Sequence, residues 1–247
     1  MPRLPEDGDH RVVADSAMKT IGLLGGMSWE STVPYYKIIN RVVNERLGGL
    51  HSAKLVLYSV DFHDIEQCQR AGQWEDASRM LSAAAIAVES AGAELLVLCT
   101  NTMHKVAPQI ERAVSIPLLH IADVTAEEIK ACRFERVGLL GTKFTMEQAF
   151  YRERLEQEHA LRVLVPGAEE RETIHRVIYD ELCLGIVSDA SRAEYHRIID
   201  RLVNGGAQAI VLGCTEISML VTPNAVAVPV FDTTEIHARK AAQWALA

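Results

Sequence analysis

The chain has 247 residues, enough for two α/β units of roughly 100 to 120 residues each or for one larger domain. Hydrophobic residues make up 49% and charged residues 23%, the balance of a soluble protein with a sizeable core. The net charge of −8 comes without any Lys/Arg cluster. That argues against nucleic acid or an anionic membrane as a partner, though local amides and helix N-termini can still hold a small anion.

Five cysteines, Cys68, Cys99, Cys132, Cys183 and Cys214, form an odd set with no C-x-x-C pair. This is the pattern of free thiols in a reducing cytosol, not of a disulfide framework or a zinc site. No His/Cys/Asp spacing reads as a metal site. No apolar run approaches the roughly 20 residues that span a bilayer, so a soluble, cytoplasmic protein is expected. Residues 1–17 are polar and lack the apolar core of a signal peptide; they read as a flexible leader before a domain that starts near Met18.

Lys19 to Gly26 predicts a buried strand that runs into a glycine turn. Ser28 or Ser31 then caps a helix carrying Tyr35, Ile38, Ile39 and Val42 at helical spacing, and Gly48-Gly49 stops it. Lys54 to Val60 reads as a second strand, and the polar stretch Asp61 to Gly72 as a loop at its carboxyl end. An alanine-rich helix over Trp74 to Gly92 leads to a third strand, Glu94 to Cys99, and to a helix from about Met103 to Ala113. Ile116 to His120 is a short fourth strand, and Asp123 is the expected cap of the helix that follows.

The pattern then restarts. Arg136-Val137-Gly138-Leu139-Leu140-Gly141-Thr142 mirrors Thr20-Ile21-Gly22-Leu23-Leu24-Gly25-Gly26. Helices over Met146 to His159, Ala168 to Leu184 and Ala190 to Gly205 surround strands near Leu161 to Val165 and Ala209 to Gly213. Val228 to Asp232 mirrors Ile116 to His120, and a last helix runs to Trp244. Three landmarks recur in the same order at offsets of 116 (22 to 138), 114 (100 to 214) and 112 (117 to 229), which marks a duplicated half. Alternating strand and helix signals make each half a parallel α/β unit. The expected fold is therefore α/β, with two similar parallel-sheet lobes related by a pseudo-twofold axis and an active site in the cleft between them. The expected boundaries are a leader at 1–17, a first lobe at 18–115 plus 228–247, and a second at 116–227.

In such sheets chemistry sits at the carboxyl ends of the strands. There the halves align Leu98-Cys99-Thr100-Asn101-Thr102 with Leu212-Gly213-Cys214-Thr215-Glu216. Cys214 thus pairs with Thr100 and not with Cys99, and strand alternation keeps Cys99 and Thr100 from facing the cleft together. Two mirrored walls suit a reaction that needs a proton donor or acceptor on each face of one carbon, and a thiol performs it as the thiolate. Cys68, Cys132 and Cys183 read as packing. Gly25-Gly26 lacks the spacing of a dinucleotide site. His104 and Glu216 are either helix-start residues or site residues, and His120 and His237 read as structural hydrogen-bonding groups.

Three stretches, Ile21 to Ser28, Cys99-Thr100-Asn101-Thr102-Met103-His104 and Leu212-Gly213-Cys214-Thr215-Glu216-Ile217, resemble the aspartate/glutamate racemase family, most of all its enterobacterial broad-specificity amino acid racemase branch. The likeness runs from about Met18 to the end. It implies a two-lobed fold, a homodimer, and interconversion of L- and D-amino acids, aspartate and glutamate or a broader set, by a two-base proton transfer without pyridoxal phosphate, another cofactor or a metal. Two family cysteines flank the α-carbon; here the first position is Thr100 and the second Cys214, a pairing found in this branch. The resemblance implies substrate contacts from Met27, Ser28, Asn101 and Thr102, with Gln69 available after the second strand and Thr215 and Glu216 beside Cys214. Many relatives carry an Arg in the loop after the second strand, where the pattern here differs and Gln69 and Arg70 are the available groups, and Cys183 stands where many have Lys; losing a fixed cation points to broader or different specificity. Alternatives are a Cys-dependent isomerase or decarboxylase of small carboxylic acids, of the hydantoin racemase or maleate isomerase type, and an inactive ligand-binding relative.

Overall fold

A computed structural model describes residues 18–222 and 226–247, so the stretch read as a leader lies outside the described residues. One sheet contains β1 (Ile21–Gly25), β2 (Leu55–Ser59), β3 (Leu95–Leu98) and β4 (Leu118–Leu119) in the order β2-β1-β3-β4. The other contains β5 (Arg136–Gly141), β6 (Arg162–Leu164), β7 (Ala209–Gly213) and β8 (Val230–Asp232) in the order β6-β5-β7-β8. Every strand pair is parallel, so the sequence repeat is also a repeat of topology. Residues of β1, β3 and β7 are buried throughout. Helices cover both faces of a parallel sheet, so its central strands read as unbroken apolar runs.

Helices α1 (Trp29–Leu47), α2 (Phe62–Ala71), α3 (Trp74–Ser90) and α4 (Ala107–Ala113) belong to the first half of the sequence. After α5 (Ile121–Ala131) come α6 (Lys143–Glu147), α7 (Ala149–Glu153), α8 (Ala168–Asp180), α9 (Asp189–Asn204) and α10 (Thr233–Ala245). The repeated glycines are sites of close approach. A Cβ on Gly22 would collide with Val88 of α3, and one on Gly138 would lie 2.8 Å from Ile210 Cδ1 and 3.1 Å from Leu202 Cδ1 of α9. Gly26 takes a φ of +94°, and its missing Cβ would lie 2.7 Å from the Val60 nitrogen. The G-L-L-G signature therefore serves helix–strand packing and a tight turn.

The two halves exchange their last helices. Ile121, Val124 and Ile129 of α5 are buried with Val137, Leu139 and Val211 of the second sheet. Ala238, Ala241, Ala242 and Ala245 of α10 are buried with Ile21, Leu23, Tyr35 and Val97 of the first. Small residues on α10 let it lie close to β1 and α1, and the exchange ties the sheets together beneath the cleft.

Three local expectations are corrected. Asp61 to Gly72 contains helix α2: Asp61 Oδ1 accepts from His63 N at 3.0 Å, Gly72 closes the helix at φ +69°, and Ile65 and Cys68 supply its buried stripe. The cap of α5 is His120, which accepts from Ala122 N, and not Asp123. Asp123 is instead engaged by Arg154 at 2.6 and 2.8 Å and by His159 at 3.0 Å, a set of contacts that sequence spacing does not reveal. The helix expected over Met146 to His159 is broken into α6, α7 and a wider turn over Arg154–Glu158.

Where α5 and α10 meet, the rings of His104, His120 and His237 cluster with centroids 4.5 and 5.9 Å apart. Tyr35 OH and the Leu119 carbonyl bond the two nitrogens of His237 at 2.9 Å each. Burial lowers the pKa of all three, that of His120 and His237 to about 3 and that of His104 well below 6.5. The unfolded chain therefore binds protons that the folded chain refuses. Stability is expected to hold above pH 7 and to fall progressively as pH drops below about 6.5 toward 3, with a slope of up to roughly 1.4 kcal/mol per pH unit for each histidine. Thermal melts from pH 8 to pH 4 check this; a constant melting temperature between pH 7 and pH 5 would contradict it.

Candidate active site

Both strand ends open into one narrow cleft with a free volume of about 20 Å³, room for about one water molecule. Met27, Gln69, Thr100, Asn101 and Thr102 line it from the first half of the chain. Cys214, Thr215 and Glu216 line it from the second. Ser28 does not line the cleft but reaches it through Glu216. Every expected site residue is thus gathered in one place, while Cys99 is fully buried in the core beside Tyr35 and Val97. Burial pushes the Cys99 thiol far up, and its Sγ approaches only the Val97 carbonyl, at 3.7 Å.

Glu216 is the hub. Its buried carboxylate accepts on Oε1 from Ser28 Oγ at 2.8 Å, from Ser28 N at 3.4 Å and from Cys183 Sγ at 3.8 Å. On Oε2 it accepts from Cys214 Sγ at 2.9 Å and Thr215 Oγ1 at 2.7 Å. The cleft lining contains no Lys or Arg, so neutral donors drawn from both halves hold this charge. Burial, the Glu216 charge and the neighbouring Cys183 all push the Cys214 thiol well above its ordinary pKa. In this state Cys214 carries a proton aimed at a carboxylate.

The opposite wall is a hydroxyl. The described residues offer no hydrogen-bond partner to Thr100 Oγ1, whereas the Thr100 carbonyl is gripped by His104 Nδ1 at 2.7 Å. Next to it, Thr233 Oγ1 donates to the Leu212 carbonyl at 2.7 Å and so accepts from Asn101 Nδ2 at 3.0 Å. That order fixes the carboxamide: Asn101 Oδ1 is left buried and unpartnered. A buried bare acceptor costs roughly 1–3 kcal/mol unless a ligand donor satisfies it. Thr102 Oγ1 bonds Thr142 Oγ1 at 3.0 Å across the halves.

Several lining residues went unrecognised in the sequence. Thr142 mirrors Gly26 at the end of the repeated turn, so the repeat itself pointed to it. Phe62, Ile178 and Tyr179 form an apolar wall, with Phe62 and Tyr179 stacked at 6.3 Å, and Tyr179 OH donates to Gln69 Oε1 at 2.8 Å. Cys183, read as packing, lines the cleft. Asp123, Glu158 and His159 gather elsewhere, but Arg154 occupies both oxygens of Asp123, which makes that group an ion-pair cluster.

A mirrored pair of strand ends, one with a thiol and one with a hydroxyl, thus lines a single cleft. The Asp/Glu/Hydantoin racemase family matches residues 24–241 of the chain. The chain belongs to that family and is an isomerase. It is 57% identical to a Yersinia pestis protein assigned as an Asp/Glu racemase, over 93% of this chain and all of that one, with a TM-score of 0.87. It is 38% identical to an aspartate racemase homologue from Pyrococcus horikoshii over 93% of this chain and all of that one, with a TM-score of 0.80. It is also similar to the broad specificity amino-acid racemase RacX of Bacillus subtilis, at 22% identity over 89% of this chain and 95% of that protein.

The hub makes a test with two opposed readouts. Glu216→Gln removes a charge that holds the Cys214 pKa up, so the pH midpoint of Cys214 alkylation is expected to shift down. Proton exchange at substrate is expected to fall roughly 10- to 100-fold, because the carboxylate that the Cys214 thiol faces at 2.9 Å is gone. An alkylation midpoint unchanged in the variant would contradict the electrostatic part of this account.

Proposed function

We propose that this amino acid racemase works by a two-base transfer, with Cys214 and Thr100 on opposite faces of the α-carbon. The observation that carries the reading is the proton path at one wall, Cys214 Sγ to Glu216 Oε2 at 2.9 Å, facing a hydroxyl at the other. Glu216 takes the thiol proton, the thiolate takes the α-hydrogen, and the Thr100 hydroxyl returns a proton to the far face. Thr100 recovers its proton from solvent and Glu216 releases the thiol proton to solvent, so that all three groups regain their starting states, and the reverse sequence runs from the other enantiomer. Asn101 Oδ1 accepts from the substrate ammonium. The N–H groups of Asn101, Thr102 and Thr215, which have no acceptor among the described residues, hold the α-carboxylate.

A hydroxyl is a weaker acid than a thiol, so the two half-reactions differ. The equilibrium constant between enantiomers is 1, which forces kcat/KM to be equal in both directions; the asymmetry appears in kcat and KM separately. With no Lys or Arg in the lining, nothing in the cleft demands an acidic side chain, which supports a set of substrates broader than aspartate and glutamate. Cys214→Ser is expected to lower racemisation by at least about 100-fold, measured by chiral separation and by deuterium entry at the α-carbon in heavy water. Unchanged exchange would refute the assignment. Activity on hydantoins or maleate with none on free amino acids would favour a relative of those enzymes.

The two-lobe division, with 18–115 plus 228–247 facing 116–227, belongs to the same proposal. So do a cytoplasmic location, supported by the free cysteines, and a homodimer. Among the described residues no helix is long and apolar enough to cross a membrane. Trp29, Val33 and Tyr36 of α1 are exposed by 62%, 42% and 56% at helical spacing, and nearby Leu184, Ile186 and Val187 are exposed as well. Apolar area of this kind marks an interface. Sedimentation is expected to show a dimer that Trp29→Asp with Tyr36→Asp converts to monomer; a dimer untouched by the double variant would move the interface elsewhere.

A further inference from the structure

His104 lies at the start of a one-turn 3₁₀ helix, Thr102–Val106, directly after the Thr100 strand end, and is fully buried. Its two ring nitrogens have separate tasks. Nε2 lies 3.2 Å from the Ile121 backbone N–H and can only accept there, since a backbone nitrogen has a proton and no lone pair to offer. The ring is neutral because burial disfavours its charged form, so the single proton sits on Nδ1 and is donated to the Thr100 carbonyl at 2.7 Å. The hydrogen-bond pattern therefore sets the tautomer, and the imidazole works as a rigid brace between the first turn of α5 and the Thr100 strand end.

The second wall is held by different means. The residue matching His104 at the offset of 114 is Ser218, whose hydroxyl donates to the Thr215 carbonyl at 3.2 Å. Cys214 is anchored through its own side chain, by Glu216. Thr100 has no such anchor, because no described residue bonds its Oγ1, and its placement depends on the backbone that carries it.

We propose that His104 is the positioning residue for Thr100: by clamping the Thr100 carbonyl it sets the angle at which the Thr100 hydroxyl meets the α-carbon. It touches neither substrate nor a reacting atom. The proposal rests on the two-base reading, and it makes a claim that a general structural role does not make. Loosening the clamp impairs the Thr100 face and spares the Cys214 face. Displacements of about 1 Å in a reacting group cost up to roughly 100-fold in rate.

Two variants separate the nitrogens. In His104→Asn the side-chain amide falls where Nδ1 was and can still donate to the Thr100 carbonyl. In His104→Gln the longer amide reaches the Nε2 position at Ile121 and leaves that carbonyl free. Racemisation is expected to survive in His104→Asn within about threefold and to fall roughly 10- to 100-fold in His104→Gln. Deuterium entry in heavy water is expected to persist in His104→Gln from the enantiomer whose α-hydrogen faces Cys214, through removal and return on one face, and to be lost from the other. Equal losses for both enantiomers, or His104→Gln matching His104→Asn, would overturn the proposal. Wild-type protein that exchanges neither enantiomer would overturn the two-base reading itself. Nitrogen-15 NMR of the wild-type chain tests the brace independently of activity and of variant folding: the expected tautomer is Nδ1–H with Nε2 bare, and an Nε2–H tautomer would remove its basis.

Discussion

The Glu216 carboxylate is the constraint from which the rest of the cleft follows. A buried charge must be compensated, and here no cation does it. Ser28 donates from the first half of the chain, while Cys183, Cys214 and Thr215 donate from the second. The carboxylate therefore ties the two halves together at the cleft that both strand ends line. It also raises the pKa of the Cys214 thiol.

Duplication supplies symmetry in the backbone and asymmetry in the chemistry. The two sheets share one strand order, and the strand ends of β3 and β7 face the cleft from opposite sides. At one end a thiol is held by its side chain through a carboxylate. At the other a hydroxyl is held through its backbone, beside a carboxamide with a bare oxygen. Exchange of α5 and α10 ties the two walls into one frame and brings three neutral histidines beneath the Thr100 side.

Much of this was legible in the amino-acid sequence, because strand ends and glycine turns are local features and a duplication shows them twice. The alignment of Cys214 with Thr100 kept Cys99 from sharing the cleft with Thr100, since neighbouring residues on a strand face opposite ways, and the structure buries Cys99 in the core. What escaped were contacts between residues far apart in the chain. Ser28 looked like a helix cap because it occupies the cap position, yet its hydroxyl turns to Glu216, 188 residues away. Cys183 looked like packing because nothing near it in the chain reveals that carboxylate. Helix α2 looked like a loop because its apolar stripe is only two or three residues wide, although Asp61 and Gly72 are capping signals that were there to be read.

The central claim is that one carbon is served by two different groups on its two faces. Initial-rate racemisation of a single enantiomer in heavy water tests it most directly, with isotope content measured separately in product and in recovered substrate. A two-face transfer predicts product carrying one solvent deuterium at the α-carbon while recovered substrate keeps its protium. Equal deuterium in product and recovered substrate from the earliest times would mean that one group serves both faces, and would contradict the account.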